Sequence, residues 1–206
     1  MLRIMLLSIL LQGALMAIEE PKYSVIQKND TYEIRNYAPY VVAQTEVSGR
    51  FDDMGGKAFK ILFNYISGGN KQRSKVKMTA PVIQESSKPL GQKIQMTAPV
   101  IQKMDSTTSQ ISIYSFVMPQ SFNLESLPEP LDNRITLKQI PAKTVAVRVF
   151  SGWWEEENFK QNETILMNAL NKAGVKIIGK PNFARYNSPF SLWFMRRNEI
   201  MIEVKQ

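Results

Sequence analysis

The side chains whose types and spacing suggest a chemical role are apolar and lie on one predicted helix. At 3.6 residues per turn, the apolar residues between 54 and 66 cover an arc of roughly 200°. A helix that rests on one sheet needs only about 100° of apolar arc. We therefore divide them into two clusters, of which the first covers the sheet: Met54, Ala58, Ile61 and Tyr65. The second consists of Phe59, Leu62, Phe63 and Ile66.

The second cluster needs a partner of its own, and the sequence leaves two open. A loop could cover it. Alternatively, a flat apolar molecule could lie against Phe59 and Phe63, because ligand sites are predominantly apolar and carry few polar groups.

Catalytic chemistry has little support in the residue types. The 206 residues include no His and no Cys, which removes the commonest general base and every thiol-based site. We find no G-x-S-x-G motif and no phosphate-binding glycine loop. The carboxylates are scattered or stand at helix starts, whereas a carboxylate hydrolase needs a facing pair. We therefore expect a binding protein rather than an enzyme, with no metal site.

The charge is basic but not concentrated. Lys and Arg number 26 against 18 Asp and Glu, a net charge of +8. Because no run resembles a nucleic-acid-binding arm, we expect no nucleic-acid partner. The charge indicates either an ordinary soluble surface or attraction to anions such as acidic lipid or a carboxylated ligand.

Residues 1–17 resemble an export signal. Arg3 precedes an apolar stretch from Ile4 to Leu11 that is interrupted by Ser8, and Ala17 stands at a plausible cleavage point. The stretch is too short to span a bilayer comfortably. We expect a signal peptide over 1–17 and a periplasmic or secreted mature chain without a transmembrane span, and the alternative is an uncleaved N-terminal anchor.

A weak internal repeat organises the rest of the chain. Residues 32–49 align without gaps to residues 135–152. Each copy reads as two strands around a proline turn, followed by a helix, near 52–67 in one half and 155–173 in the other. Further strands are predicted over 75–83, 94–102, 111–118, 183–187 and 192–204. The Pro-rich segment 127–133 separates halves at 22–126 and 134–206.

One motif occurs twice in the chain and indicates a resemblance to a known protein family. KMTAPVIQ at 77–84 returns as QMTAPVIQ at 95–102. With YEIRNYAPYVVAQTEVSG, FNYISGGN and the terminal YNSPFSLWFMRRNEIMIEV, it resembles the SOUL haem-binding family over residues 22–206. That resemblance implies an α+β fold, a distorted β-barrel of two pseudo-symmetric ββα-plus-strands repeats with two flanking helices.

The resemblance also implies a ligand, haem or a related tetrapyrrole, lying on the apolar face of the first helix. In the family, the loop before the last strand lies near that site, so Phe190 and Trp193 become its candidate far wall. The predicted binding residues are thus Phe59, Leu62, Phe63, Ile66, Phe190 and Trp193. Lys60, Arg73 and Lys75 are candidates for pairing with the ligand carboxylates.

The chain departs from the family pattern in one respect. Some family members are thought to ligate haem iron through His, and this chain has none. Haem would then be held by apolar burial and carboxylate pairing. The alternatives are another apolar small molecule, or an envelope interaction protein in which exposed aromatics such as Trp153 and Trp154 meet a partner protein or a membrane. Near the C-terminus, Arg197 and Glu199 share a strand face and are expected to pair, and the alternative is that Glu199 is an acid of the ligand groove.

Overall fold

The structure is a computed structural model that describes residues 18–71, 91–104, 111–188 and 190–205. The elements before residue 118 are β1 (Tyr23–Lys28), β2 (Glu33–Tyr37), β3 (Tyr40–Ser48), α1 (Phe51–Ile66), β4 (Asn70–Lys71), β5 (Val100–Met104) and β6 (Ile111–Val117). Those after it are β7 (Glu129–Pro130), β8 (Ile135–Ile140), β9 (Lys143–Phe150), α2 (Glu156–Lys172), β10 (Lys176–Ile177), β11 (Asn182–Arg185), a single 3₁₀ turn (Trp193–Met195) and β12 (Asn198–Lys205).

The strands form one curled antiparallel sheet. Its order is β1-β2-β9-β12-β11-β5-β6-β3-β8, with β10 added beside β12, and β4 and β7 form a separate small pair. The two predicted halves interlock in this sheet, because β2 pairs with β9 and β3 pairs with β8. The sheet makes a half-barrel with two helices, which confirms the predicted α+β class.

Two cores lie on opposite faces of the sheet. The larger core is under the helices and includes Ala43, Leu62, Phe183 and Ile200. The smaller core is on the other face and is formed by Tyr37, Val145, Val147, Ala184 and Met201. The central strand β12 contributes to both, so nearly all of its residues are buried, as expected for a strand covered on two faces.

The helices lie where the sequence predicts them, within one residue at each end. Helix α1 packs on β3 and β6, and α2 packs on β9 and β12. Gly68 and Gly174 follow the helices with φ of 114° and 65°, values that favour glycine at a helix end. Neither helix in the described part of the chain has the length and apolar content needed to cross a bilayer.

Three strand predictions need comment. The strand at 75–83 lies outside the described residues. The strand predicted from residue 94 begins only at Val100, because the amides of Ile94 and Ala98 donate to the carbonyls of Ile66 and Glu19 instead of to a ladder, and Pro99 has no amide to donate.

The last strand is also shorter than predicted. It begins at Asn198 rather than at residue 192. The preceding residues turn instead, with the amides of Met195 and Arg196 donating to the carbonyls of Leu192 and Trp193. The strands predicted at 111–118 and 183–187 are found at 111–117 and 182–185.

Candidate functional site

Phe59 and Phe63 form a stacked aromatic pair at the edge of helix α1. Their ring centroids are 5.5 Å apart and their planes differ by 13°. Phe59 also meets Phe116 of β6 edge to face at 5.5 Å, which fixes its orientation. Phe63 remains 46% exposed. The pair therefore presents a flat aromatic surface that is supported from below and open above.

Leu62 and Ile66 do not belong to that surface. They are 0% and 4% exposed and lie in the larger core with Ala58 and Tyr65. Leu62 and Ile66 therefore have no exposed face for a ligand. The segment before β5 reaches this part of α1, as in the alternative of a covering loop: the Ile94 amide donates to the Ile66 carbonyl, and Ile94 is buried in the same core.

A shallow groove of about 610 Å³ follows the exposed side of α1. Its charged lining residues are Glu46, Lys57, Lys60, Asp132 and Arg134. Arg134 Nη2 pairs with Asp132 Oδ2 at 2.6 Å, and its hydrogen bonds lower the pKa of Asp132 to about 2. Among the described residues, Lys57 and Lys60 form no ion pair. Their ammonium groups are therefore available to pair with an anionic ligand in the groove. Arg73 and Lys75 lie outside the described residues.

The structure places Phe190 and Trp193 in a different aromatic group. Phe190 is 95% exposed. Trp193 stacks on Trp153 at 6.4 Å and meets Phe194 edge to face at 5.5 Å. No ring contact among the described residues joins this group to Phe59 or Phe63. The six predicted residues thus divide into a stacked pair in which Phe63 is exposed and Phe59 is partly buried, a core pair, and a separate loop.

A half-buried cation enclosed by aromatic rings is a feature that sequence reasoning missed. The Arg185 guanidinium carbon lies 4.8 Å from the ring centre of Phe183 and 5.4 Å from that of Trp154. Its Nη2 donates to Gln102 Oε1 at 2.9 Å. A Cβ on Gly55 would come within 2.7 Å of Arg185 Nη1. The glycine pair at 55–56 inside an apolar helix was the signal of this close approach.

A second buried charge network lies on the opposite face of the sheet. Glu199 is 0% exposed and accepts hydrogen bonds from Arg35 Nη1 at 3.0 Å, Arg197 Nη2 at 2.8 Å and the Tyr186 hydroxyl at 2.7 Å. The predicted pairing of Arg197 with Glu199 is confirmed. Burial and the nearby Glu199 charge raise the pKa of Tyr37 to about 12. Since Glu199 is enclosed by these partners, it holds the strands together and does not face a groove.

Comparison with known proteins gives matches along most of the chain. Residues 18–90 and 83–203 match the family model described as SOUL heme-binding protein. Heme-binding protein 2 of Mus musculus is 28% identical over 92% of this chain and 91% of its own length. The Homo sapiens protein of the same name is 27% identical over 91% of this chain and 90% of its own length.

Solved structures share the fold at much lower identity. The C-terminal domain of EcmrR superposes with a TM-score of 0.60 at 10% identity, covering 89% of this chain and 98% of that domain. A protein from Listeria innocua that is named a hydrolase superposes with a TM-score of 0.55 at 9% identity, covering 87% of this chain and 94% of its own. At these identities the likeness concerns the fold alone.

Proposed function

Because the chain belongs to the SOUL haem-binding family, we propose that it binds haem or a related tetrapyrrole against the Phe59/Phe63 pair. The observation that carries the proposal is the exposed ring of Phe63, stacked on the partly buried Phe59. A phenylalanine that is 46% exposed beside a parallel ring offers apolar area that a flat ligand would remove from water. The two mammalian relatives are named for haem binding, which supports this choice of ligand.

The neighbouring charges suit the carboxylates of a tetrapyrrole. Lys60 stands three positions before Phe63 on α1, so the two side chains are neighbours on the helix surface. Lys57 lies one turn earlier in the same groove. Charge-assisted bonds from lysine to carboxylate would orient the ring edge while its plane stacks on Phe63.

The residues fit the macrocycle better than they fit its iron. Bound haem supplies an iron centre that His or Cys commonly ligates, and the chain contains neither. The described residues also include no group of three or more acids that could hold a metal ion. We therefore expect iron-free protoporphyrin to bind within about threefold of haem, since apolar burial does not depend on the metal.

The test is a titration of residues 18–206 with haem and with protoporphyrin, followed by absorbance and fluorescence. This part of the chain contains both cores. We expect saturable one-to-one binding that Phe63→Asp weakens at least tenfold and Phe59→Asp/Phe63→Asp abolishes. The matched control is Val25→Asp/Ile26→Asp, which alters two exposed apolar residues of β1. Equal binding by wild type and Phe63→Asp would rule out this surface.

The same proposal favours binding over catalysis. The groove along α1, which Phe63 itself does not line, contains two acids, Glu46 and Asp132. Asp132 is held by Arg134, so these two do not provide the free facing pair that carboxylate hydrolysis needs. If the titration shows no saturable binding, the alternatives are another apolar small molecule or an envelope protein partner.

We further propose that the protein acts outside the cytoplasm. In support, the apolar stretch from Ile4 to Leu11 follows Arg3 and ends shortly before Ala17, as in a signal peptide. Cell fractionation with N-terminal sequencing tests this: we expect a chain in the exported fraction that begins at or near Ile18. A cytoplasmic chain that retains Met1 would contradict it.

A further inference from the structure

We propose that a second surface, the aromatic loop, inserts into the interface of a lipid bilayer. The aromatic loop consists of residues 190–195 together with Trp153. Six large apolar side chains project from it, each at least 47% exposed: Trp153, Phe190, Leu192, Trp193, Phe194 and Met195. Single exposed apolar residues are ordinary, whereas a contiguous group of this size marks an interaction surface.

Hydrogen bonds to the rest of the fold hold the loop backbone in the conformation that exposes these side chains. The Gly152 amide donates to the Trp193 carbonyl at 3.1 Å, and Arg196 Nε donates to the Ser191 carbonyl at 2.9 Å. The buried Arg196 guanidinium carbon also lies 4.4 Å from the ring centre of Trp154 and 5.1 Å from that of Trp153. The loop backbone is therefore fixed at its base, and the apolar side chains are presented outward at little further entropic cost.

The composition of the loop is that of an interfacial segment. Residues 186–195 contain no charged side chain, although the chain has 26 basic and 18 acidic residues. Its most exposed side chains are Phe190, Leu192 and Met195, whereas Trp153 and Trp193 are about half exposed and stack on each other. Tryptophan favours the headgroup level of a bilayer and aliphatic or phenyl side chains favour the acyl boundary.

Charge adds to this attraction at long range. The net charge is +8, and +7 without residues 1–17, which contain Arg3 as their single charged residue. Glu155, Glu156 and Glu157 follow Trp153 directly, so the immediate surroundings are not basic. Insertion is therefore driven by apolar burial, and anionic lipid strengthens it through the positive charge of the whole molecule.

Intrinsic fluorescence reports on this surface directly, because all three tryptophans of the chain lie in or beside it: Trp153, Trp154 and Trp193. Residues 18–206 are mixed with phosphatidylcholine vesicles, with and without about one fifth phosphatidylglycerol. We expect a blue shift and co-sedimentation with both, stronger with the anionic vesicles. Phe190→Ser/Leu192→Ser/Met195→Ser should lower the partition coefficient at least tenfold.

A matched control keeps this result specific. Val25→Ser/Ile26→Ser/Leu131→Ser removes three exposed apolar side chains from other parts of the surface and should bind vesicles as the wild type does. Circular dichroism verifies that both variants are folded. Absence of vesicle binding by the wild type, or equal binding by the loop variant, overturns the proposal. A wild-type dimer that the loop variant converts to a monomer would also overturn it, because a second copy would then cover the loop.

The haem proposal and the membrane proposal fail separately. The aromatic loop shares no ring contact with Phe59 or Phe63 among the described residues. Without lipid, the loop variant should therefore bind haem with unchanged affinity. In turn, Phe63→Asp should leave vesicle binding unchanged. If the loop variant loses haem binding without lipid, the loop is a ligand wall and the bilayer assignment is wrong.

Discussion

At the scale of single residues, the side chain that matters most for the stability of the fold is the fully buried carboxylate of Glu199. Glu199 accepts from two arginines and a tyrosine, and the side chain of Arg35 is itself 3% exposed. A buried ion pair adds little over well-packed apolar residues, yet breaking one leaves a buried charge without compensation. We therefore expect substitutions in this network, which links Arg35 of β2 to Glu199 of β12, to destabilise the fold.

Glu199→Gln should accordingly lower the free energy of unfolding by about 3 kcal/mol, because Arg35 and Arg197 lose their shared counter-charge. Asp132→Asn is the matched control, since it breaks the Arg134 pair, in which the arginine side chain is 61% exposed. That change should cost less than about 1 kcal/mol. Urea unfolding of the two variants measures both values, and similar losses would contradict a structural role for Glu199.

At the scale of elements, hydrophobic periodicity predicted those helices and strands whose formation depends mainly on their own sequence. Both helices and the strands β3 and β9 follow from hydrophobic periodicity within the segment itself. Residues 94–99 carry the same β-branched signal as β5, yet their amides bond to α1 and to the N-terminal segment. Those partners are distant in sequence, and strand formation depends on such neighbours.

The candidate site shows the same division. Phe59 and Phe63 were found from helical spacing, whereas the burial of Leu62 and Ile66 involves partners distant in sequence, such as Ile94, whose amide donates to the Ile66 carbonyl. Arg185, which is half-buried, contacts Phe183, Trp154 and Gln102 from three different segments. In the sequence, the glycine pair of α1 was the feature that indicated this close approach.

Helix α1 offers a direct test, because its two adjacent glycines have different surroundings. A Cβ on Gly56 meets nothing within 4 Å, whereas one on Gly55 comes within 2.7 Å of Arg185 Nη1. Gly56→Ala should raise the free energy of unfolding by about 0.5–1 kcal/mol through helix propensity. Gly55→Ala should give none of that gain, because Arg185 is held by its aromatic neighbours. Equal stabilisation by both variants in urea unfolding would show that Arg185 moves aside freely.

At the scale of the whole molecule, the two halves depend on each other. Strands β2 and β3 pair with β9 and β8 across the predicted boundary. The larger core combines residues of both helices, and the smaller core draws on β2, β9, β11 and β12. A ligand at the Phe59/Phe63 pair and a membrane at the aromatic loop would thus act on one cooperative unit.

That cooperativity makes alkaline pH a test of both cores at once. Burial raises the pKa of Tyr114, in the larger core, to about 12, and burial with the Glu199 charge does the same for Tyr37 in the smaller core. A raised tyrosine pKa stabilises the folded state fully below the ordinary value of 10, and this contribution is lost as the pH rises from 10 to 12.

Stability should therefore fall by about 1.4 kcal/mol per buried tyrosine between pH 9 and pH 11. Tyr114→Phe removes one ionisable phenol and should make that fall smaller by the same amount, while Tyr23→Phe, at an exposed position of β1, should follow the wild type. Urea unfolding at successive pH values measures the three profiles. If Tyr114→Phe loses as much stability as the wild type, the phenol of Tyr114 ionises in the folded protein as readily as in the unfolded chain, and the larger core is open to hydroxide.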